Sequence, residues 1–201
     1  MGSAIPPNSD ALSFRIEFRP KKNLTVSVDT RFMRHANVCE SLTDDEAITY
    51  LLADEDVYAT DGSIYNHANF ANEGNETGTH VDTAWDHLNF LSQDHKMYVF
   101  QAGLNAKANL NAFKKTKLSL NFGYTFEYIR NKGVDANMFP GGKVSPVKNA
   151  DTITGYTYNG KTYSTSEADK KALVEDVRKE WEAALYDVIN NYFTLGFTLK
   201  F

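Results

Sequence analysis

The sequence predicts an all-β fold, an antiparallel up-and-down transmembrane β-barrel with long, partly helical outer loops, and three observations carry that expectation. Five runs alternate apolar and polar residues with a period of two, which lays the apolar side chains of each run on one face of a strand. The connections between the runs alternate short and long, as they do in barrels with tight turns on one side of a bilayer and large loops on the other. Aromatic residues gather towards the ends of the runs, where bilayer interfaces favour them.

The elements follow in order. Leu12, Phe14, Ile16 and Phe18 alternate with Ser13, Arg15, Glu17 and Arg19, and the run stops at the turn Pro20-Lys21-Lys22-Asn23. A returning run sets Leu24, Val26, Val28, Thr30 and Phe32 against Thr25, Ser27, Asp29 and Arg31. Tyr98 to Leu110 alternates against Gln101, Gly103, Asn105, Lys107 and Asn109. After a basic turn at Phe113, Lys114 and Lys115, the run Leu118 to Tyr128 alternates against Ser119, Asn121, Gly123, Thr125 and Glu127. The last run, Tyr192 to Phe201, carries Phe193, Leu195, Phe197, Leu199 and Phe201 on its apolar parity. About ten residues suffice to cross a bilayer as a tilted strand and are too few to cross as a helix.

Two long excursions separate these hairpins, with outer loops over about 36–95 and 131–190. Thr43 is a candidate N-cap for a helix to Ala53, with acids in its first turn. Asn159-Gly160 is a hairpin turn signal within Gly155 to Tyr163. Ser166-Glu167-Ala168-Asp169 resembles a capping box, and helical spacing of Leu173, Val177, Trp181, Ala184, Leu185 and Val188 predicts an amphipathic helix to about Ile189. Residues 1–11 read as a flexible N-terminal segment and 12–201 as the barrel portion. If the C-terminus is periplasmic, Phe32, Tyr98, Phe100, Phe126, Tyr128 and Phe193 fall near outer strand ends, and Phe18, Phe113 and Phe201 near inner ends.

No stretch of about eighteen apolar residues exists, so a helical membrane protein is excluded. A formal charge of -5 gives no reason to expect nucleic acid. The single cysteine, Cys39, excludes a disulfide framework within the chain. Met1 to Ala11 has no basic start followed by an apolar core and is not a secretory signal.

The C-terminal segment Thr194-Leu195-Gly196-Phe197-Thr198-Leu199-Lys200-Phe201 resembles the β-signal of bacterial outer-membrane proteins, with Thr194, Gly196, Leu199 and Phe201 in the polar, glycine, hydrophobic and terminal aromatic slots. The resemblance implies an outer-membrane location, contact with outer-membrane lipid, and recognition by the barrel assembly machinery. Bacterial barrels generally have an even number of strands, eight or more, so five runs imply the C-terminal portion of a larger barrel, or several chains sharing one. Phe32-Met33-Arg34-His35-Ala36-Asn37 and Asn131-Lys132-Gly133-Val134 resemble loop segments of poorly characterised spirochaete barrels.

On this reading Arg15, Glu17, Arg19, Asp29, Arg31, Gln101, Asn105, Lys107, Asn121 and Glu127 face the lumen, and their mixed signs argue against strong ion selectivity. The function expected is a passive pore or a surface-exposed binding protein, for small solutes or an extracellular ligand, without catalysis or cofactor. His80, Asp82, Asp86, His87, Asp94 and His95 have a metal-like composition, but their spacing matches no ligand pattern. Asp54 to Gly62 lacks the glycine and terminal acid of a calcium loop. Two alternatives stay open: a soluble β-rich binding domain whose apolar parity faces its own core, and a hydrolase with Ser, His and Asp at a barrel rim.

Overall fold

A computed structural model of the chain describes residues 8–53, 90–113 and 116–200. In chain order the elements are β1 (Ser9–Lys21), β2 (Leu24–Ala36), a 3-10 turn (Val38–Ser41), α1 (Asp44–Leu52), β3 (Lys96–Phe113), β4 (Thr116–Lys132), β5 (Ser145–Asn149), β6 (Thr152–Tyr158), β7 (Lys161–Ser164), α2 (Glu167–Ala183) and β8 (Tyr186–Lys200). Antiparallel sheet dominates, and the chain divides into two compact units.

The first unit is a five-stranded sheet in the order β1-β2-β3-β4-β8. All five alternating runs of the sequence are its strands. β3 and β4 pair antiparallel from Tyr98↔Arg130 to Phe113↔Thr116, and β4 and β8 from Lys117↔Lys200 to Lys132↔Tyr186. The backbone N–H of Asn109 donates to the Asn23 carbonyl at 2.8 Å, and Asn105 donates to Asp29 at 2.8 Å. Numbers thus rise along β2 as they fall along β3, and this pair is antiparallel too. Lys22 and Asn23 make the tight turn between β1 and β2. The sheet is open, with β1 and β8 at its edges, and no closed barrel forms among the described residues. Pro20 is tolerated because β1 is an edge strand, where a missing ladder donor costs little.

Strand bounds differ from the sequence reading. Ser9, Asp10 and Ala11 belong to β1 and not to a flexible tail, while residues 33–36 and Asn131-Lys132 lie in strands and not in loops. Helix α2 ends at Ala183, well short of Ile189. Val188 and Ile189 join the ladder opposite Ile129 and Tyr128, so cross-strand pairing of β-branched residues overrides the helical spacing that continues through them. Because β8 begins at Tyr186, Phe193 sits mid-strand opposite Tyr124, with ring centroids 5.0 Å apart, and is not at an outer end.

The second unit takes both long excursions, His35–Lys96 and Gly133–Leu185, together with the N-terminal residues to Ser9. The long loops expected from the sequence therefore have a core of their own: Val38, Cys39, Leu51, Val134, Met138, Phe139, Leu173, Val174 and Val177 are all buried within it. Asn37 ties the excursions together by donating to the Val134 and Ala136 carbonyls at 2.8 and 2.9 Å. Thr43 caps α1 in a full capping box with Glu46. Ser166 caps α2, but the Asp169 carboxylate accepts from Ser164 N–H, so no reciprocal box forms. β5, β6 and β7 make a separate three-stranded sheet. Its β6–β7 hairpin turns on Asn159 (φ 48°) and Gly160 (φ 77°), the left-handed pair a type I′ turn requires.

Candidate functional site: the polar face of the five-stranded sheet

Alternation along each strand gives the sheet two chemically different faces. The register lines up Ala102↔Phe126, Leu104↔Tyr124, Phe122↔Leu195, Leu120↔Phe197 and Leu118↔Leu199 on one face. On the other it lines up Gln101↔Glu127, Lys107↔Asn121 and Glu127↔Asn190.

The apolar face is uncovered. Leu12, Phe14, Ile16, Phe18, Val28, Phe32, Phe100, Leu104, Leu110, Leu120, Phe122, Ile189, Phe193, Leu195, Phe197 and Leu199 are all exposed, up to 84% at Leu195. Fully removing a side chain of this size from water is worth about 1.5–3 kcal/mol. Even at half that value, sixteen of them match or exceed the ~5–15 kcal/mol that holds an ordinary domain folded.

The polar face is the hollow side. All ten lumen candidates stand on this parity, and two clefts open on it. One, about 530 Å³, is lined by Arg15, Asp29, Arg31, Gln101 and Asn105 among others. The larger, about 730 Å³, is lined by Arg15, Glu17, Arg19, Asn105, Lys107 and Asn121, with Lys22 and Thr194 beside them. Glycines make room for these side chains: a Cβ on Gly123 would lie 2.8 Å from Asn105 Oδ1, and one on Gly103 3.3 Å from Thr125 Oγ1.

Each acid of this face is fully engaged. Glu17 lies 3.7 Å from Arg15 and 3.4 Å from Arg19. Asp29 accepts from Arg15 at 3.2 Å, Ser27 at 3.3 Å and Asn105 at 2.8 Å. Glu127, 8% exposed, accepts from Gln101, from Asn190 at 2.8 Å and from Tyr192 at 3.0 Å. Arg31 instead reaches the Met33 sulfur at 3.8 Å. Asn190, Tyr192, Ser27, Lys22, Lys117 and Lys200 belong to this face and were missing from the sequence-derived set. The parity rule would have found Asn190 and Lys117 had their strands been given full length.

Of the assembly-signal residues, Thr194 lines the larger cleft, Gly196 lies opposite Asn121, and Leu199 opposite Leu118 on the apolar face. Phe201 lies outside the described residues, as does the side chain of Phe113.

Other candidates lie in the second unit. His80, Asp82, Asp86 and His87 and the segment Asp54 to Gly62 fall outside the described residues. His95 is held by Glu40, Nδ1 to Oε1 at 2.5 Å, lies 3.8 Å from Glu182, and meets the Trp181 ring edge-on at 5.6 Å. Among the described residues no group of three or more ligand-type side chains could hold a metal ion. Ser9 Oγ and His35 Nδ1 are 2.7 Å apart, the pairing a nucleophile and base would need, but both are buried, His35 to 2% exposure.

A cluster of charges joins α2 to the small sheet. Lys143 and Tyr158 donate to Glu180 and hold its carboxyl down to about 2, while burial and the same carboxylate push the Tyr158 phenol up. Lys161, 2.8 Å away, and the Tyr163 hydroxyl, 2.6 Å away, hold Asp176 below the usual carboxylate range. These groups are mutually satisfied and stabilise the packing of α2.

Comparison of the chain with protein-family models, curated proteins and solved structures finds no match. Its function has to be read from its own chemistry.

Proposed function

We propose that the chain is the C-terminal portion of a bacterial outer-membrane β-barrel, serving as a passive, polar-lined passage for small solutes or as a surface-exposed binding protein, without catalysis or cofactor. The observation that carries this reading is the two-faced sheet, with sixteen large apolar side chains uncovered on one side and a hydrogen-bonded polar layer on the hollow side. Lipid is the solvent that suits the first face and a water-filled lumen the second. Strands of 13, 13, 18, 17 and 15 residues exceed the ~9–11 that span a bilayer. The terminal Thr194, Gly196, Leu199 and Phe201 would be what the barrel assembly machinery reads. As every neighbour in the sheet is antiparallel, β1 and β8 run in the same direction. Closing the ring with antiparallel partners at both edges then takes an odd number of further strands, from more chain or from other subunits.

Alternation in solvent access along β8 tests this reading. In a Cys39→Ser background, single cysteines replacing residues 192 to 198 carry nitroxide labels in lipid vesicles. Labels at 193, 195 and 197 are expected to relax with oxygen, the lipid-soluble quencher, and those at 194, 196 and 198 with a water-soluble nickel chelate. Uniform access to the nickel chelate, or a monodisperse protein without detergent, would return the chain to the soluble β-rich alternative.

A further inference from the structure

The signs of charge that look mixed in the sequence separate in the structure. The sheet unit holds thirteen of the 21 lysines and arginines but five of the 26 acids, a balance of +8 in a chain of net -5, which leaves -13 for the other unit. On the polar face the three acids are spoken for: Glu17 by two arginines, Asp29 by Arg15 and neutral donors, Glu127 by neutral donors alone. Arg15 and Arg19 are paired in turn, but four lysines are not. Lys22, Lys107, Lys117 and Lys200 have no carboxylate within ion-pair distance among the described residues. Lys117 and Lys200 are direct cross-strand partners, an arrangement of like charges that repels unless an anion sits between them. Lys22 and Lys107 join Arg15 and Arg19 around the 730 Å³ cleft, where Glu17 is the one acid in the lining.

The geometry points to a site for small inorganic or carboxylate anions in the larger cleft of the polar face, formed by Lys22 and Lys107 beside Arg19, with the pair Lys117 and Lys200 further towards the same end of the sheet. This inference rests on the barrel reading and gives its passage a sign: anions are concentrated and pass in preference to cations. A cleft with low-dielectric walls focuses the field of its fixed charges and raises the local concentration of counter-ions, and rings of lysine and arginine select anions in pores.

Reversal potentials in planar bilayers across a potassium chloride gradient measure the preference, with the full chain reconstituted as for the labelling experiment. Wild-type channels are expected to favour chloride over potassium several-fold, and inorganic pyrophosphate in the bath is expected to lower their current. The double variant Arg19→Glu, Lys107→Glu should invert the preference. Should that variant fail to insert, Lys107→Gln, which removes one charge without adding an acid, should reduce the chloride preference and the pyrophosphate block together. Channels that show no chloride preference, or whose preference ignores these substitutions, would overturn the anion site and leave the barrel standing. A labelled, inserted protein that carries no current would overturn the inference and leave the barrel standing; a chain that does not insert would remove the barrel reading beneath it.

Discussion

Glu127 shows how the polar face is held. Its carboxylate accepts from Gln101, Asn190 and Tyr192, so it ties β3, β4 and β8 together at one point. Glu127→Ala leaves three donors without their acceptor in a spot only 8% exposed, and an unsatisfied buried polar group costs about 1–3 kcal/mol. A loss of about 3 kcal/mol is expected in urea unfolding of the detergent-solubilised protein, with Glu127→Gln, which keeps an acceptor oxygen, losing about 1 kcal/mol. Gly123→Ala should also destabilise, since its Cβ would displace the Asn105 amide that donates to Asp29. In the second unit Glu180 gives a pH dependence whose sign is fixed. Its folded carboxyl lies near 2, against an ordinary 4.5, so the stability it contributes is complete above pH 4.5 and disappears as pH falls towards 2. Its side chain is 47% exposed, so solvent screening keeps the contribution within about 1 kcal/mol. Unfolding midpoints followed by tryptophan fluorescence in a Trp85→Phe background, which leaves Trp181 as the reporter, should fall less steeply across that window in Glu180→Gln.

The two helices differ in how their first turns are closed. At α1 the Thr43 hydroxyl and the Glu46 carboxylate satisfy each other's backbone N–H, whereas α2 has the Ser166 half alone. Losing an N-cap costs about 0.5–2 kcal/mol, so Thr43→Ala should lower thermal stability more than Ser166→Ala in circular dichroism melts. Both caps were legible in the sequence, because a cap is decided within four residues. The strands of the five-stranded sheet were legible for a similar reason, their period of two being local, and the same period sets the ten lumen candidates on one parity. What stayed hidden depends on distant partners. Nothing near Val188 and Ile189 reveals that Tyr128 and Ile129 will take them into a ladder, and the helical spacing that precedes them points elsewhere. The core of the second unit was hidden too, since Asn37 finds its carbonyl acceptors 97 and 99 residues away. Strand β5, with Pro146 in a five-residue run that is exposed throughout, offers no apolar period to read.

At the scale of the whole chain, the two units solve the problem of apolar surface differently. The unit built from the long excursions buries Leu51, Phe139, Leu173, Val174, Val177 and Trp181 in a core of its own. The sheet leaves its apolar residues outside and spends its hydrogen bonds on the hollow face. A sheet of this kind in water would expose both its apolar side and two unpaired edges, the combination that leads to aggregation. The difference between its faces can be measured at two adjacent residues. Leu195 packs opposite Phe122 on the apolar side, and Thr194 opposite Gly123 beside the larger cleft. An arginine on the lipid face of a barrel costs about 2–4 kcal/mol near the midplane, whereas a lumen substitution changes selectivity more than stability. Leu195→Arg should therefore shift the guanidinium midpoint for refolding into vesicles by that amount, and Thr194→Arg by less than about 1 kcal/mol. Equal costs at both positions would mean that one solvent bathes both faces. In that case the apolar parity must be covered by protein, and the pairing of Arg15 with Asp29 and of Glu127 with Asn190 would be the surface of a soluble sheet.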